Sequence, residues 1–167
     1  MKRKTLIALS IIILVIGGAW YMKREKDLAK LHDIQTDLAN YLYNNYRLYT
    51  FNKEELDQLD KDYDNEKMTF PEYSKRVDEI AKYSDIEKIE FTGFSVGPMN
   101  SLEVRLIIND IYTLRASSNT VSAETGKLIF DFNTGKGQNN YFLNESEESR
   151  TDKMPEKNII YDNKGVK

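Results

Sequence analysis

The sequence predicts an α+β fold: an N-terminal transmembrane or stalk helix, a helical hairpin, then a four-stranded antiparallel sheet packed on the helices. Three observations lead there. Residues 6–22 carry no charge, apolar residues then recur at three- and four-residue steps to about residue 84, and from residue 86 the apolar period changes to two. The 167 residues accordingly divide into a signal-anchor segment at 1–25, an α+β domain at 26–143 (helices within 26–84, sheet within 86–133) and a polar, flexible tail at 144–167.

The first segment reads LIALSIIILVIGGAWYM behind Lys2, Arg3 and Lys4. Seventeen residues of helix rise about 25 Å, close to the hydrocarbon thickness of a bilayer. Trp20 and Tyr21 then fall at headgroup depth. Gly17, Gly18 and Ala19 supply the small residues of a signal-peptidase site, whereas the bulky pair after them and the basic Lys23, Arg24 and Lys26 favour a retained anchor. A short basic N-terminus before a longer domain predicts a single pass of the cell membrane with the domain on the extracytoplasmic side. The absence of cysteine fits that location and removes disulfides and thiolate metal sites.

Leu28, Leu31, Ile34 or Gln35, Leu38, Leu42 and Tyr46 form the stripe of an amphipathic helix that runs from the membrane into the domain. Its end is tyrosine-rich. Tyr41, Tyr43, Tyr46 and Tyr49 cannot all share one helical face, so some are exposed, with Tyr43, Tyr46 and Tyr49 as contact candidates, or are covered by the rest of the fold. Asn52 with Glu55, and Thr69 with Glu72 and Pro71, mark the starts of two hairpin helices, the second stopping near Ser84. The expected strands are 86–94, 102–109, 111–117 and 127–133, with Asn109 and Asp110 as the turn between the middle pair. Val104, Leu106 and Ile108 then share one face with Tyr112, Leu114 and Ala116. Arg105, Ile107, Thr113 and Arg115 occupy the other, which makes them candidate protein-binding residues. The run Ile159, Ile160 and Tyr161 is a candidate edge strand within the tail.

Between the hairpin helices, Asp60, Asp62 and Asp64 alternate and Glu72 follows, a pattern that resembles an EF-hand calcium loop. Asn65 replaces the turn glycine and Glu72 falls one residue late, so a plain helical hairpin competes with the calcium site. No other cofactor is expected. The single histidine, His32, lacks a serine or acidic partnership in the sequence, and no phosphate-binding glycine spacing occurs, so catalysis is not expected. Setting aside Lys2, Arg3 and Lys4 takes the net charge from −3 to −6, which argues against nucleic acid and for a protein or a cation as partner.

Gly97-Pro98-Met99-Asn100-Ser101, Leu106-Ile107-Ile108-Asn109-Asp110 and Leu128-Ile129-Phe130 together resemble the recurring turn and strands of small membrane-anchored or exported α+β families of Gram-positive bacteria. Some proteins of that kind are immunity proteins encoded beside secreted toxins. The resemblance implies a membrane-anchored binding protein that neutralises a toxin. The alternatives are a calcium-binding envelope protein that uses residues 60–72, and a structural subunit whose stalk helix packs against partner helices. The resemblance carries no catalytic residue.

Overall fold

The computed structural model describes residues 27–97, 101–132, 140–147 and 150–164. The anchor segment expected at 1–25 lies outside them. Among the described residues no helix is long and apolar enough to cross a membrane.

Helix α1 spans described residues 27–45. It buries Leu31, Gln35, Leu38, Ala39 and Leu42, one stripe at the three- and four-residue spacing. The chain then changes period. Strand β1 (Tyr46–Thr50) buries Tyr46 and Leu48 while Arg47 and Tyr49 point the other way. Helix α2 (Lys53–Asp64) starts at Asn52, whose Oδ1 accepts from the Glu54 N–H at 3.0 Å. Helix α3 (Phe70–Ile80) starts at Thr69, whose N–H and hydroxyl both donate to Glu72 Oε2, at 2.8 and 2.9 Å. These two helices bury a single residue between them, Leu59. The hairpin therefore stands out from the core as an insertion between β1 and its partner β2 (Lys82–Asp85).

Strands β3 (Ile89–Val96), β4 (Leu102–Ile108), β5 (Tyr112–Val121) and β6 (Leu128–Phe132) follow as an antiparallel meander. Then come β7 (Tyr141–Glu145), a 3-10 turn over Glu156–Asn158 and the two-residue β8 (Ile159–Ile160). Among the described residues the eight strands form two sheets, ordered β6-β5-β4-β3-β8 and β2-β1-β7.

This corrects the expected four-stranded antiparallel sheet. Its four segments are consecutive members of a five-stranded sheet, completed by β8 running parallel to β3. A second sheet was not anticipated, for three reasons. Tyr46 fits the helical stripe as well as a strand position. Strand β2 reads KYSD and is exposed at every residue, so it leaves no apolar alternation. α3 ends at Ile80, and Ala81 is already extended at φ −67° and ψ 126°, which leaves 82–85 free to pair.

The tail read as loose from its polarity is also tied down where it is described. Ser146 N–H donates to Asn45 O at 2.7 Å and Arg150 N–H to Asn44 O at 3.0 Å. Met154, Ile159 and Asp162 are buried. One core unites α1 with Ile89, Phe91 and Phe94 of β3, the inner faces of β4 and β5, Leu48 of β1, Leu143 of β7 and Met154.

Candidate functional site

With α1 and the core on one side of the five-stranded sheet, its other face is open. In β4 and β5 the burial alternates strictly: Val104, Leu106, Ile108, Tyr112, Leu114 and Ala116 are buried, whereas Arg105, Thr113 and Arg115 are exposed and Ile107 is half-buried. The register sets Arg105 directly opposite Arg115 and Ile107 directly opposite Thr113. The four sheet residues singled out by alternation thus form two adjacent rows on one surface. Continuing those rows into β3 brings in Gly93 beside Arg105 and Glu90 beside Ile107.

The tyrosines do not join them. Tyr43 is half-buried in the last turn of α1. Tyr46 faces inward, packed edge-on against Phe132 at 5.6 Å, and burial, above all, pushes its hydroxyl pKa far up. Tyr49 lies on the opposite face of β1, stacked on Phe142 at 5.1 Å and tilted against Tyr83 at 5.7 Å. Burial raises its pKa too, with Tyr83 adding to the effect. Arg47 completes this outer aromatic patch, its guanidinium carbon 3.9 Å from the centre of the Tyr83 ring. Three residues apart in a helix means neighbours, but three apart in a strand means opposite faces. The change of period at residue 46 therefore separates Tyr46 from Tyr49.

The acidic segment is helix and not loop. α2 continues to Asp64, and residues two apart in a helix turn away from each other by about 200°. Asp60 accepts from the Tyr73 hydroxyl at 2.7 Å. Asp62 accepts from Lys67 Nζ at 2.8 Å and Gln58 Nε2 at 3.1 Å, and the Lys67 bond in particular holds its pKa below the usual carboxylate range. Glu72 is engaged in its cap, where the Thr69 N–H lowers its pKa likewise. Asp60, Asp62, Asp64 and Glu72 are therefore not gathered around one point. Among the described residues no group of three or more His, Cys, Asp or Glu is placed to hold a metal ion. His32 stacks face to face on Tyr161, with ring centres 3.8 Å apart.

Two features escaped the sequence. A groove of about 640 Å³ runs between α1 and the β5–β6 region, walled by Ile34, Tyr41, Val121, Leu128 and Ile129 and bridged by a 2.6 Å ion pair from Lys127 to Asp37. Val121 ends β5, which runs four residues past the strand expected at 111–117, and Ile129 lies in the edge strand β6; both are exposed apolar residues. The other feature is Asn109. Its Oδ1 accepts from the N–H groups of Glu87 and Lys88 at 2.8 and 2.9 Å, while Nδ2 donates to Asp85 O at 2.8 Å. It latches the segment between the two sheets to the β4–β5 turn.

The fold and site define a class in structural terms: a two-sheet α+β domain with one uncovered sheet face. No known protein family, no curated protein and no solved structure matches the chain.

Proposed function

We propose that the chain is a membrane-tethered binding protein without catalytic activity, its domain on the extracytoplasmic side, and that it acts there as an immunity protein that captures a secreted toxin. The uncovered face of the five-stranded sheet supports this reading best. Arg105, Ile107, Thr113 and Arg115 sit together on it, with one half-buried apolar residue among polar and arginine neighbours, a composition typical of interfaces. The uncharged run at residues 6–22 ends only a few residues before the first described residue of α1, and α1 leads directly into the core, so an anchor would hold the domain close to the bilayer. Tethering raises the concentration of the binding face where an exported protein must pass. The apolar stripe of α1 is spent on its own core, which disfavours a subunit that packs this helix against partners.

A photoreactive residue placed at Thr113 in living cells tests the reading, with a second placed at exposed Lys75 on α3 as control. The expected result is a crosslink from Thr113, and not from Lys75, to an exported protein that is toxic to cells lacking this chain. A crosslink from Thr113 only to cytoplasmic proteins, or none at all, would refute it.

A further inference from the structure

We infer that Arg105 and Arg115 form a two-arginine clamp for carboxylates, and that the partner segment lying on this face is rich in aspartate or glutamate. This rests on the reading of the open face as the binding surface and names what that surface takes.

The clamp begins with the register. Arg105 and Arg115 are direct cross-strand partners, so their side chains leave the same face with Cβ atoms about 5 Å apart. Like charges in that position repel and cost stability unless something neutralises them. No described carboxylate forms an ion pair with either arginine. The ion pairs among the described residues are Lys67–Asp62, Lys75–Glu79, Lys88–Asp110, Lys127–Asp37 and Arg150–Asp85, and neither arginine belongs to any of them. Carboxylates do share this face, Glu90 opposite Ile107, Asp131 opposite Ser117 and Glu103 reaching toward the β3–β4 turn, but each stands a row away and none is bonded to either arginine. A Cβ built on Gly97 in that turn would stand 2.5 Å from Glu103 Oε1.

Gly93 gives Arg105 its posture. The irregularity between Phe91 and Gly93 brings the glycine opposite Arg105, and a Cβ there would approach Arg105 Nη2 to 3.0 Å. The guanidinium thus lies along the space that a side chain at 93 would fill, held near the sheet and not extended into water. Thr92 Oγ1 donates to Arg105 O at 3.2 Å on the same strand pair. Ile107 and Thr113 form an adjoining row that is partly apolar. Lysine outnumbers arginine across the chain, yet both basic residues here are arginine. Arginine presents a planar fork that meets a carboxylate with two parallel hydrogen bonds, which an ammonium cannot.

A peptide segment is favoured over an anionic membrane because the domain carries a net negative charge. A flat lipid surface would set its charges against the whole domain, whereas a short segment can seat its carboxylates on the one row where Arg105 and Arg115 stand side by side.

The test uses the full-length chain, isotope-labelled in phosphatidylcholine nanodiscs. Blocked hexaglutamate, blocked hexalysine, an uncharged hexapeptide, inorganic phosphate and phosphatidylglycerol vesicles are titrated separately. Hexaglutamate is expected to shift the amide signals of Arg105, Ile107, Thr113 and Arg115 in a saturable, salt-sensitive way. The double variant Arg105→Gln/Arg115→Gln should weaken this at least tenfold with an otherwise unchanged spectrum, and Arg115→Lys should weaken it severalfold. An equal response to hexalysine or the uncharged peptide overturns the clamp. A response to phosphate or to the vesicles that matches hexaglutamate overturns the peptide assignment. No response to hexaglutamate, with the Thr113 crosslink intact, overturns the clamp alone; loss of that crosslink overturns the reading of the face beneath it.

Discussion

Replacing Asn109 with alanine is expected to lower the stability of the domain by about 4 kcal/mol, through about 1 kcal/mol for each of three lost hydrogen bonds and about 1 kcal/mol for a left-handed backbone at alanine. Asn109 and Asp110 have φ of 50° and 59° in the three-residue connection 109–111 that the pairing of Ile108 with Tyr112 closes. Asparagine tolerates such a φ and alanine does not. The side chain also makes three hydrogen bonds, to Asp85, Glu87 and Lys88, and its own N–H donates to Lys88 O at 2.9 Å. Alanine keeps that last bond and loses the other three. The segment it releases joins β2 of the small sheet to β3 of the large one, so the loss falls on the junction between sheets. Denaturant unfolding reads it as a lower midpoint at unchanged slope. Asn109→Gly removes the backbone strain but not the loss of bonds, and should recover only about 1 kcal/mol. Equal stability of the alanine and wild-type chains would show that water replaces the latch without cost.

The second large effect belongs to Gln35, the buried polar residue in the α1 stripe. It is 1% exposed, and its amide pairs with the backbone of Asp162 in both directions: Nε2 donates to O at 3.1 Å and Oε1 accepts from N–H at 2.8 Å. Gln35→Ala leaves a buried N–H and a buried carbonyl without partners and opens a small cavity. That is worth about 2–4 kcal/mol. The damage should be regional. β8 pairs with β3 through two residues only, so hydrogen exchange should quicken at Ile160 and Asp162 and stay slow in β4 and β5. The Tyr161 ring on His32 and its hydroxyl beside Thr36 Oγ1 at 3.1 Å limit how far the segment leaves. Uniform quickening would mean that the C-terminal segment and the core unfold as one unit.

What the sequence disclosed follows the range of the interactions involved. Local signals read well. The caps at Asn52 and Thr69 are side-chain bonds spanning two or three residues, and the Asn109-Asp110 turn needs only tolerance of positive φ. The four long strands of the large sheet announce themselves because one face is buried and one is not. The small sheet is different. β2 has no buried face, and β1 carries tyrosines at positions that suit a helix equally well. Its pairings join residues far apart in sequence, such as Leu48 with Leu143, which no local pattern encodes. The acidic segment was misleading for a related reason. Alternating aspartates resemble a loop only if the helix stops, and α2 continues through Asp64. On the open face, Arg105, Ile107, Thr113 and Arg115 were legible from strict alternation, but that Arg105 and Arg115 lie unpaired depends on where Glu103 turns, which only the fold decides.

The central claim is that a membrane anchor presents this domain outside the cell. The chain lacks cysteine, so a single Glu124→Cys in the exposed connection between β5 and β6 gives one unambiguous thiol. Intact cells treated with a membrane-impermeant maleimide should label it fully, and the labelled chain should sediment with the membranes. Labelling only after lysis, or recovery of the chain in the soluble fraction, would contradict the account.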